Sequence, residues 1–489
     1  MAKNYVKKPV VKIPRQIRNW SNLQLAIFNE IEFGNSNIHI CSFAGTSKTS
    51  TIVECGFRIK DRNPFITVLY SAFNNKNAEE LANKIPNGCE AKTFHQIGFA
   101  ALKNAFPNIF VDASGKKLKD SINKFLDYDN EPYLFPIIIK IVSLAKGYLS
   151  SNNEDIIDII RNHNIEIEDD WLDRIIQVTW DVLEDTLNNT RVCDFDDMIA
   201  MPLWHKLGFR KYQIVFIDEA QDLNKAQRTM ILKCIAANGR GISAFDRFQA
   251  IYSWRGSDSE SVTNLMKELP GKEMSLSVSY RCPKNVIIEA NKYVSEIQAA
   301  PNAKDGEVIN ISIDKVIETA KPGCFIISRL NAPLVKLCLK FWANRIPASI
   351  RGRDFGSSLT TLIKKSNKEN VVDLIEWLDN WRNNECAKLE KLDKDTSIVH
   401  DKIECLIVLS EGCEKVSEIL EVTEKLFSDN DDSKRVCLMT AFKGKGLEVE
   451  NAFVLTSTFR PEASQEEKNL IYVAVTRAIS RLYLVSGKI

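Results

Sequence analysis

Ile214-Val215-Phe216-Ile217-Asp218-Glu219-Ala220-Gln221-Asp222 is the stretch whose reading sets the fold class. Four consecutive apolar residues bounded by a polar turn read as a strand of a parallel α/β sheet, buried on both faces. Two adjacent carboxylates at the C-terminal end of such a strand are what a nucleotide hydrolase needs to hold Mg²⁺ and orient an attacking water. Asp218 is therefore the candidate metal residue and Glu219 the candidate for activating water.

That reading requires a phosphate cradle earlier in the chain. Ser42-Phe43-Ala44-Gly45-Thr46-Ser47-Lys48-Thr49 follows the strand-like Ile38-His39-Ile40-Cys41 and precedes a helix-compatible run from Ser50 to Arg58. Strand, loop and helix in that order are the required context. Backbone N–H groups of the loop would surround the phosphates of ATP, Lys48 would reach the β- and γ-phosphates, and the Thr49 hydroxyl would bind Mg²⁺. Gly45, Thr46, Ser47, Lys48, Thr49 and Ser50 are the candidate nucleotide-binding residues. Two positions depart from the usual pattern, which has glycine or alanine at Ser42 and glycine at Ser47. A side chain at Ser47 can crowd the phosphates or oppose the backbone conformation that glycine adopts freely.

Further segments follow in order: Gln24, Ser71-Ala72-Phe73-Asn74-Asn75-Lys76-Asn77-Ala78, Thr93-Phe94-His95, Asp194-Phe195-Asp196-Asp197-Met198, Asp246-Arg247-Phe248-Gln249-Ala250-Ile251-Tyr252-Ser253-Trp254-Arg255-Gly256, Tyr280-Arg281-Cys282, Thr440-Ala441-Phe442-Lys443-Gly444-Lys445-Gly446-Leu447-Glu448, and Tyr472-Val473-Ala474-Val475-Thr476-Arg477-Ala478. Together with the two motifs above, they resemble the UvrD/Rep/PcrA branch of superfamily 1 helicases from about Trp20 to Val485. The resemblance implies that Gln24 reads adenine, Tyr280 packs on its face and Glu448 contacts the ribose. It implies that Gln249 senses the γ-phosphate and that Arg281 and Arg477 stabilise charge developing there. It places Phe73, Asn74, His95, Tyr252, Trp254, Arg255 and Lys445 on the single-strand path. Trp254 would stack on a base, which suits a sequence-blind motor because every base offers a π-face, worth ~1–3 kcal/mol per base. Phe245 and Phe442 stand where the family has glycine and histidine.

In this resemblance the nucleotide lies between two RecA-like domains, with Lys48, Thr49, Asp218 and Glu219 on one wall and Arg281 and Arg477 on the other. The expected organisation is a basic arm over 1–19, a first RecA-like domain over 20–105 and 191–275 with a helical insertion at 106–190, and a second over 276–356 and 433–489 with a helical insertion at 357–432. The fold class is thus α/β, two parallel-sheet P-loop motor domains, each with a mainly helical insertion. The patterns Trp171, Ile175, Val178, Trp180, Val182, Leu187 and Val371, Leu374, Ile375, Trp377, Leu378 carry the helical periodicity of the insertions. Both are short beside the accessory subdomains of typical relatives, which favours strand translocation over processive unwinding by a monomer.

Composition limits the alternatives. A chain of 489 residues that is 44% hydrophobic can bury several cores, and a net charge of only +1 confines any nucleic-acid track to a local groove. The arm carries Lys3, Lys7, Lys8, Lys12, Arg15 and Arg18 without an acidic residue, as suits either a phosphate-seeking arm or a solvated tail. Twelve cysteines without a Cys-x-x-Cys pair argue against a zinc ribbon or iron–sulfur subtype and point to a reducing compartment, cytoplasmic or nucleoid-associated. Cys41, Cys193 and Cys437 read as small core hydrophobes. The apolar stretch from Pro136 to Leu149 is interrupted by Lys140 and Lys146, so it reads as a buried helix and no membrane contact is expected.

Three functions remain in view at this point. The first is an ATP-dependent DNA helicase or translocase on single strands or single/double-strand junctions, 3′-to-5′ as the family resemblance implies, acting in replication, repair or recombination with proteins of those processes. The second is a weakly active or silent relative serving as a nucleotide-gated nucleic-acid or partner scaffold, motivated by Ser47 and Phe442. The third, a small-molecule P-loop kinase, leaves Trp254 and the Phe-Asn-Asn-Lys and Thr-Phe-His segments unexplained.

Overall fold

The structure, a computed structural model, describes residues 14–15, 18–127, 131, 133–163, 165, 167, 169–251, 260–391, 396–427 and 434–487. Most of the basic arm, the segment holding Tyr252, Trp254 and Arg255, and the acidic turn at 428–432 lie outside these residues. The chain divides into two compact units, the first ending at Leu276 and the second beginning at Ser277, except that Phe43–Thr46 and Phe248–Ile251 group with the second.

Six parallel strands form the sheet of the first unit: β1 (Asn37–Ser42), β2 (Val68–Ala72), β3 (Cys89–Thr93), β4 (Tyr212–Ile217), β5 (Ile235–Phe245) and β6 (Gly271–Leu276). Their order is β3-β2-β4-β5-β1-β6. The period-two alternation of strands sends successive residues to opposite faces. Ile38, Ile40, Val68, Tyr70, Ile214 and Phe216 pack on one side with Phe28 of helix α1 (Asn22–Phe33) and Ile52 and Ile59 of helix α2 (Lys48–Arg62). Leu69, Val215, Ile217 and Phe245 pack on the other with Phe94, Ile97 and Met230. Apolar residues at both parities are needed for a doubly covered sheet, which explains the unbroken run at 214–217. Phe245, where relatives have glycine, is accommodated as a buried core ring.

His39 of β1 is completely buried, its Nδ1 2.7 Å from Ser243 Oγ and its Nε2 2.8 Å from the Leu269 carbonyl. Burial holds its pKa below the ordinary 6.5, so the folded state keeps it neutral. The unfolded chain takes up that proton as pH falls through about 6.5, so the contribution is present above that pH and lost below it. Melting temperature is therefore expected to drop between pH 7.5 and 5.5, and His39→Gln is expected to shrink the drop; an unchanged drop would show that His39 carries none of it.

Between β3 and β4 the helices Lys116–Phe125, Leu134–Tyr148, Asn153–Asn162 and Leu172–Asn188 pack Ile138, Ile141, Ile156, Ile175, Val178 and Val182 into one buried cluster, which Leu102, Met198 and Met201 of the flanking helices join. Helix Leu134–Tyr148 realises the interrupted apolar stretch, and Lys146 on it is buried. No single helix among the described residues is long and apolar enough to cross a membrane. Lys146 is tied by charge to the start of helix Phe195–Trp204, where Asp194 and Asp197 form a reciprocal cap. Asp197 is fully buried, with Lys117 Nζ at 2.5 Å and Lys146 Nζ at 2.8 Å. Lys117 also donates to the Thr186 carbonyl at 2.6 Å. Two buried cations thus join the insertion to the Asp-Phe-Asp-Asp element.

The second unit has its own six-stranded parallel sheet: β7 (Glu307–Ser312), β8 (Phe325–Ser328), β9 (Ala348–Arg351), β10 (Val436–Thr440), β11 (Val449–Leu455) and β12 (Ala478–Ser486), in the order β7-β12-β11-β8-β10-β9. Its insertion does not have a separate core. Leu359, Leu374, Leu378, Leu406 and Leu409 pack in one cluster with Ile326, Ile350 and Leu438 of the sheet. The first helix there starts at Arg353, before the expected 357. Asp401, buried, caps helix Ala332–Ala343 by accepting from the N–H groups of Ala332 at 2.7 Å and Asn331 at 3.0 Å. All twelve cysteines are free thiols; Cys193 is buried, while Cys41 and Cys437 are only half-buried.

Candidate functional site

Adjacency in the first sheet brings the two opening motifs together. β5 lies between β1 and β4, so the loops leaving the C-terminal ends of β1, β4 and β5 share one edge. Lys48 Nζ sits there 2.5 Å from Glu219 Oε1 and 3.4 Å from Asp218 Oδ1. Burial weighs against the lysine charge, but the pull of Glu219 and Asp218 outweighs it and its pKa is raised. Burial pushes the Asp218 carboxyl up, against the attraction of Lys48. Gln221, buried, donates to Glu219 Oε2 at 2.5 Å while its oxygen accepts from the Asp246 N–H at 3.1 Å. Glu219 is thereby held between Lys48 and a relay to the segment after β5, a role for Gln221 that its motif position alone does not specify.

Ser47, beside Lys48, and Glu219 itself have left-handed backbones, at φ 60° and φ 52°. Ser47 caps α2 without a side-chain hydrogen bond. Its carbonyl accepts from Thr51 Oγ1 at 3.0 Å, and Thr51 Oγ1 accepts from Gln24 Nε2 at 2.9 Å. Gln24 is 2% exposed and its oxygen accepts from the Ser21 N–H at 3.0 Å. The structure thus uses Gln24 to brace α1 against the phosphate loop; its amide does not face open space as a base reader would. A left-handed serine costs about 1–2 kcal/mol relative to glycine, part of which glycine returns through its greater freedom when unfolded. Ser47→Gly is expected to raise stability by about 1 kcal/mol in a denaturant titration, and a loss of stability would contradict the strain assigned to Ser47.

Thr49 and Ser50, in the first turn of α2, are half-buried. Asp218 and the Thr49 hydroxyl are hard oxygen donors of the kind Mg²⁺ takes, and among the described residues no cluster of three His, Cys, Asp or Glu side chains forms a closed metal cage. An ion that keeps several waters and shares phosphate oxygens fits such a sparse set.

The neighbouring strands carry the candidate nucleic-acid residues. Ala72 and Thr93 are register partners at the ends of β2 and β3, so Phe73, Asn74 and His95 leave the same sheet edge. Phe73 is exposed, and Asn74 caps helix Asn75–Lys84 through its side chain. His95, its pKa lowered by burial, meets the exposed ring of Phe195 edge-on with centroids 6.1 Å apart. Phe195 was not among the expected site residues. The signal for it was an aromatic wedged among three carboxylates at a helix start, where those carboxylates turn inward to cap and pair.

In the second unit, Tyr280 is 44% exposed and Arg281 Nε lies 2.6 Å from Glu448 Oε2. Glu448, expected at the ribose, is thus paired with an expected phosphate-sensing arginine. Arg477 is wholly buried, donating to the carbonyls of Val473 at 2.8 Å and Leu447 at 2.9 Å and to Thr476 Oγ1 at 3.0 Å. Here it staples helix Gln465–Val475 to the Lys-Gly-Leu-Glu segment, and a phosphate could reach it only after those bonds rearranged. Lys445 Nζ donates to the Gln249 carbonyl at 2.7 Å, and the Gly45 carbonyl accepts from the Tyr280 N–H at 2.9 Å.

A family model for the UvrD/REP helicase N-terminal domain matches residues 23–270, and one for the UvrD-like helicase C-terminal domain matches residues 155–488. Among curated proteins, the chain is similar to the ATP-dependent DNA helicase PcrA of Staphylococcus epidermidis, 26% identical over 287 residues, which are 52% of this chain and 37% of that protein. It is also similar to DNA helicase II of Escherichia coli K12, 23% identical over 310 residues, 56% of this chain and 41% of the relative. The chain spans about two fifths of the length of these relatives.

Proposed function

The chain belongs to the UvrD-like helicase family, and from that premise we propose that it is an ATP-hydrolysing motor that moves 3′-to-5′ on single-stranded DNA. The observation that carries this reading is Lys48 held between Asp218 and Glu219, with Gln221 linking Glu219 to the segment after β5. When a triphosphate arrives, Lys48 exchanges its carboxylate partners for phosphate oxygens. Both carboxylates would then be free, Asp218 to hold a metal and Glu219 to orient a water. Mg²⁺, held by Thr49 and Asp218, would supply charge neutralisation on the phosphates. Gln221, bonded to Glu219 on one side and to the Asp246 N–H on the other, would carry that change from the phosphates to Asp246.

The exposed rings of Phe73 and Phe195, with the half-buried His95 that meets Phe195 edge-on, support a stacking surface for unpaired bases, because such rings bind bases without reading sequence. The short insertions favour translocation and protein displacement over long unwinding. Single strands or single/double-strand junctions are the substrates this implies, with replication or repair proteins as partners in a reducing, cytoplasmic or nucleoid-associated setting. The left-handed Ser47 favours one second reading, a nucleotide-gated scaffold with little turnover.

Displacement of streptavidin from oligonucleotides biotinylated at either end separates the two. ATP-dependent displacement from the 5′ end alone is expected for a 3′-to-5′ motor. Displacement from the 3′ end alone would reverse the polarity, and none from either end would favour the scaffold.

A further inference from the structure

On the reading of the chain as an ATP-hydrolysing motor, we infer that Tyr472 is a positioning residue for that reaction. Its hydroxyl fixes the first half of the phosphate loop, and its ring fixes the segment that follows Asp246.

Phe43–Thr46 and Phe248–Ile251 belong to the second compact unit, although the residues on either side of them in the chain belong to the first. The phosphate loop is therefore divided after Thr46, and residues of the second unit shape its first half. The Ala44 N–H donates to the Tyr472 hydroxyl at 2.8 Å, and Ser279 Oγ donates to the Ala44 carbonyl at 2.8 Å. The Gly45 carbonyl accepts from the Tyr280 N–H at 2.9 Å. A trans peptide points its N–H away from its C=O, so these bonds to the Ala44 and Gly45 carbonyls set the direction of the Gly45 and Thr46 N–H groups. Such N–H groups are the donors that a loop of this kind turns toward phosphate. Gly45 is left-handed at φ 74°, and a Cβ there would collide with the Cβ of Arg281, so the close approach requires glycine.

Three rings close the circuit. Phe43 stacks on Phe248 with centroids 5.7 Å apart and planes 17° from parallel, and Phe248 meets the Tyr472 ring edge-on at 6.3 Å. Tyr472 thus reaches the loop twice, directly at Ala44 and through Phe248 at Phe43. Tyr472 is wholly buried, Phe43 nearly so and Phe248 half-buried. Asn469, three residues earlier on helix Gln465–Val475 and so on the same face, donates to the Ala250 carbonyl at 3.1 Å. One helix face thereby holds the loop at Ala44 and the segment at Phe248 and Ala250. Two residues before Phe248, the Asp246 N–H donates to Gln221, which donates in turn to Glu219. Phe248 therefore stands at the far end of the relay that begins at Glu219.

Hydroxyl and ring have separable consequences. Without the hydroxyl, the buried Ala44 N–H loses its acceptor and the cradle loosens, which any nucleotide carrying phosphates would feel. Without the Phe248 ring, that bond persists and the segment joined to Glu219 loosens, which the chemical step would feel.

The test is equilibrium dialysis of ADP together with steady-state ATP hydrolysis at saturating single-stranded DNA, in wild type, Tyr472→Phe, Phe248→Leu and Phe248→Tyr, with melting temperature as the measure of folding. Tyr472→Phe keeps the ring and is expected to weaken ADP and raise KM for ATP about tenfold each, the worth of one hydrogen bond, with kcat within about threefold. Phe248→Leu is expected to lower kcat about tenfold with ADP affinity within about threefold, and Phe248→Tyr, which keeps the ring, to stay within about threefold of wild type in both. Lowered melting temperatures without this split between binding and turnover would show a structural role only and overturn the inference. ADP affinity within about twofold of wild type in Tyr472→Phe, or kcat within about twofold in Phe248→Leu, would also overturn it while leaving the motor reading intact. No turnover in wild type, with the expected loss of ADP affinity in Tyr472→Phe, would overturn the motor and leave the hold of Tyr472 on the cradle standing.

Discussion

An E219Q protein is expected to hydrolyse ATP about 10²–10⁴-fold more slowly than wild type, the usual contribution of a positioned general base. Its KM for ATP is expected to stay within about threefold. The argument is geometric. Glu219 is the carboxylate nearest Lys48, at 2.5 Å, and Gln221 grips its other oxygen at 2.5 Å. Its left-handed backbone, φ 52°, is a conformation that a glutamate pays to adopt and that surrounding contacts must enforce. Glutamine retains the shape and a hydrogen-bonding oxygen for Lys48 but cannot take a proton, so binding persists and the chemical step fails. A kcat within threefold of wild type would remove Glu219 from the chemistry.

Asp197→Ala is expected to destabilise the first unit by about 3–5 kcal/mol, because it strands Lys117 and Lys146 without their shared carboxylate in a buried site. Exchanging Lys117, Lys146 and Asp197 together for apolar residues of similar volume is expected to recover most of that loss. Burial opposes the charge of Asp197, but Lys146 and Lys117 outweigh it and its pKa is held below the ordinary 3.8. Its contribution is therefore present above about pH 3.8 and disappears as pH falls through the depressed folded value. Burial pushes the neighbouring Asp194 the other way, so the two carboxylates oppose each other in acid. Denaturant melts of the single and triple variants decide the point; equal stability of Asp197→Ala and wild type would show that the pair contributes nothing.

The two parallel sheets were legible because each functional loop follows an apolar strand, and strand followed by loop is a local pattern. Ile214 to Ile217 and Ile38 to Cys41 announce buried strands whatever the rest of the chain does. The helical insertion at Leu172–Asn188 was legible for the same reason, since Ile175, Val178 and Val182 repeat at helical spacing and are buried. What could not be read were matters of partnership. Gln24 was expected at adenine, but whether an amide faces a ligand or a neighbour depends on Ser21 and Thr51, 3 and 27 residues away. Arg477 stands in a fully matching motif, yet it is wholly buried and donates to Val473 and Thr476 at the end of its own helix and to Leu447. Lys117 and Lys146 carry no motif at all; their burial follows from Asp197, 80 residues beyond Lys117. Long-range pairing of charge leaves no trace in local periodicity.

The most direct test of the motor is steady-state ATP hydrolysis with and without single-stranded DNA, in wild type and Lys48→Ala. A motor predicts turnover that rises at least tenfold when the strand is added and is lost in Lys48→Ala, because Lys48 sits in the phosphate loop against both Asp218 and Glu219. Turnover indifferent to DNA, or equal in the two proteins, would contradict it.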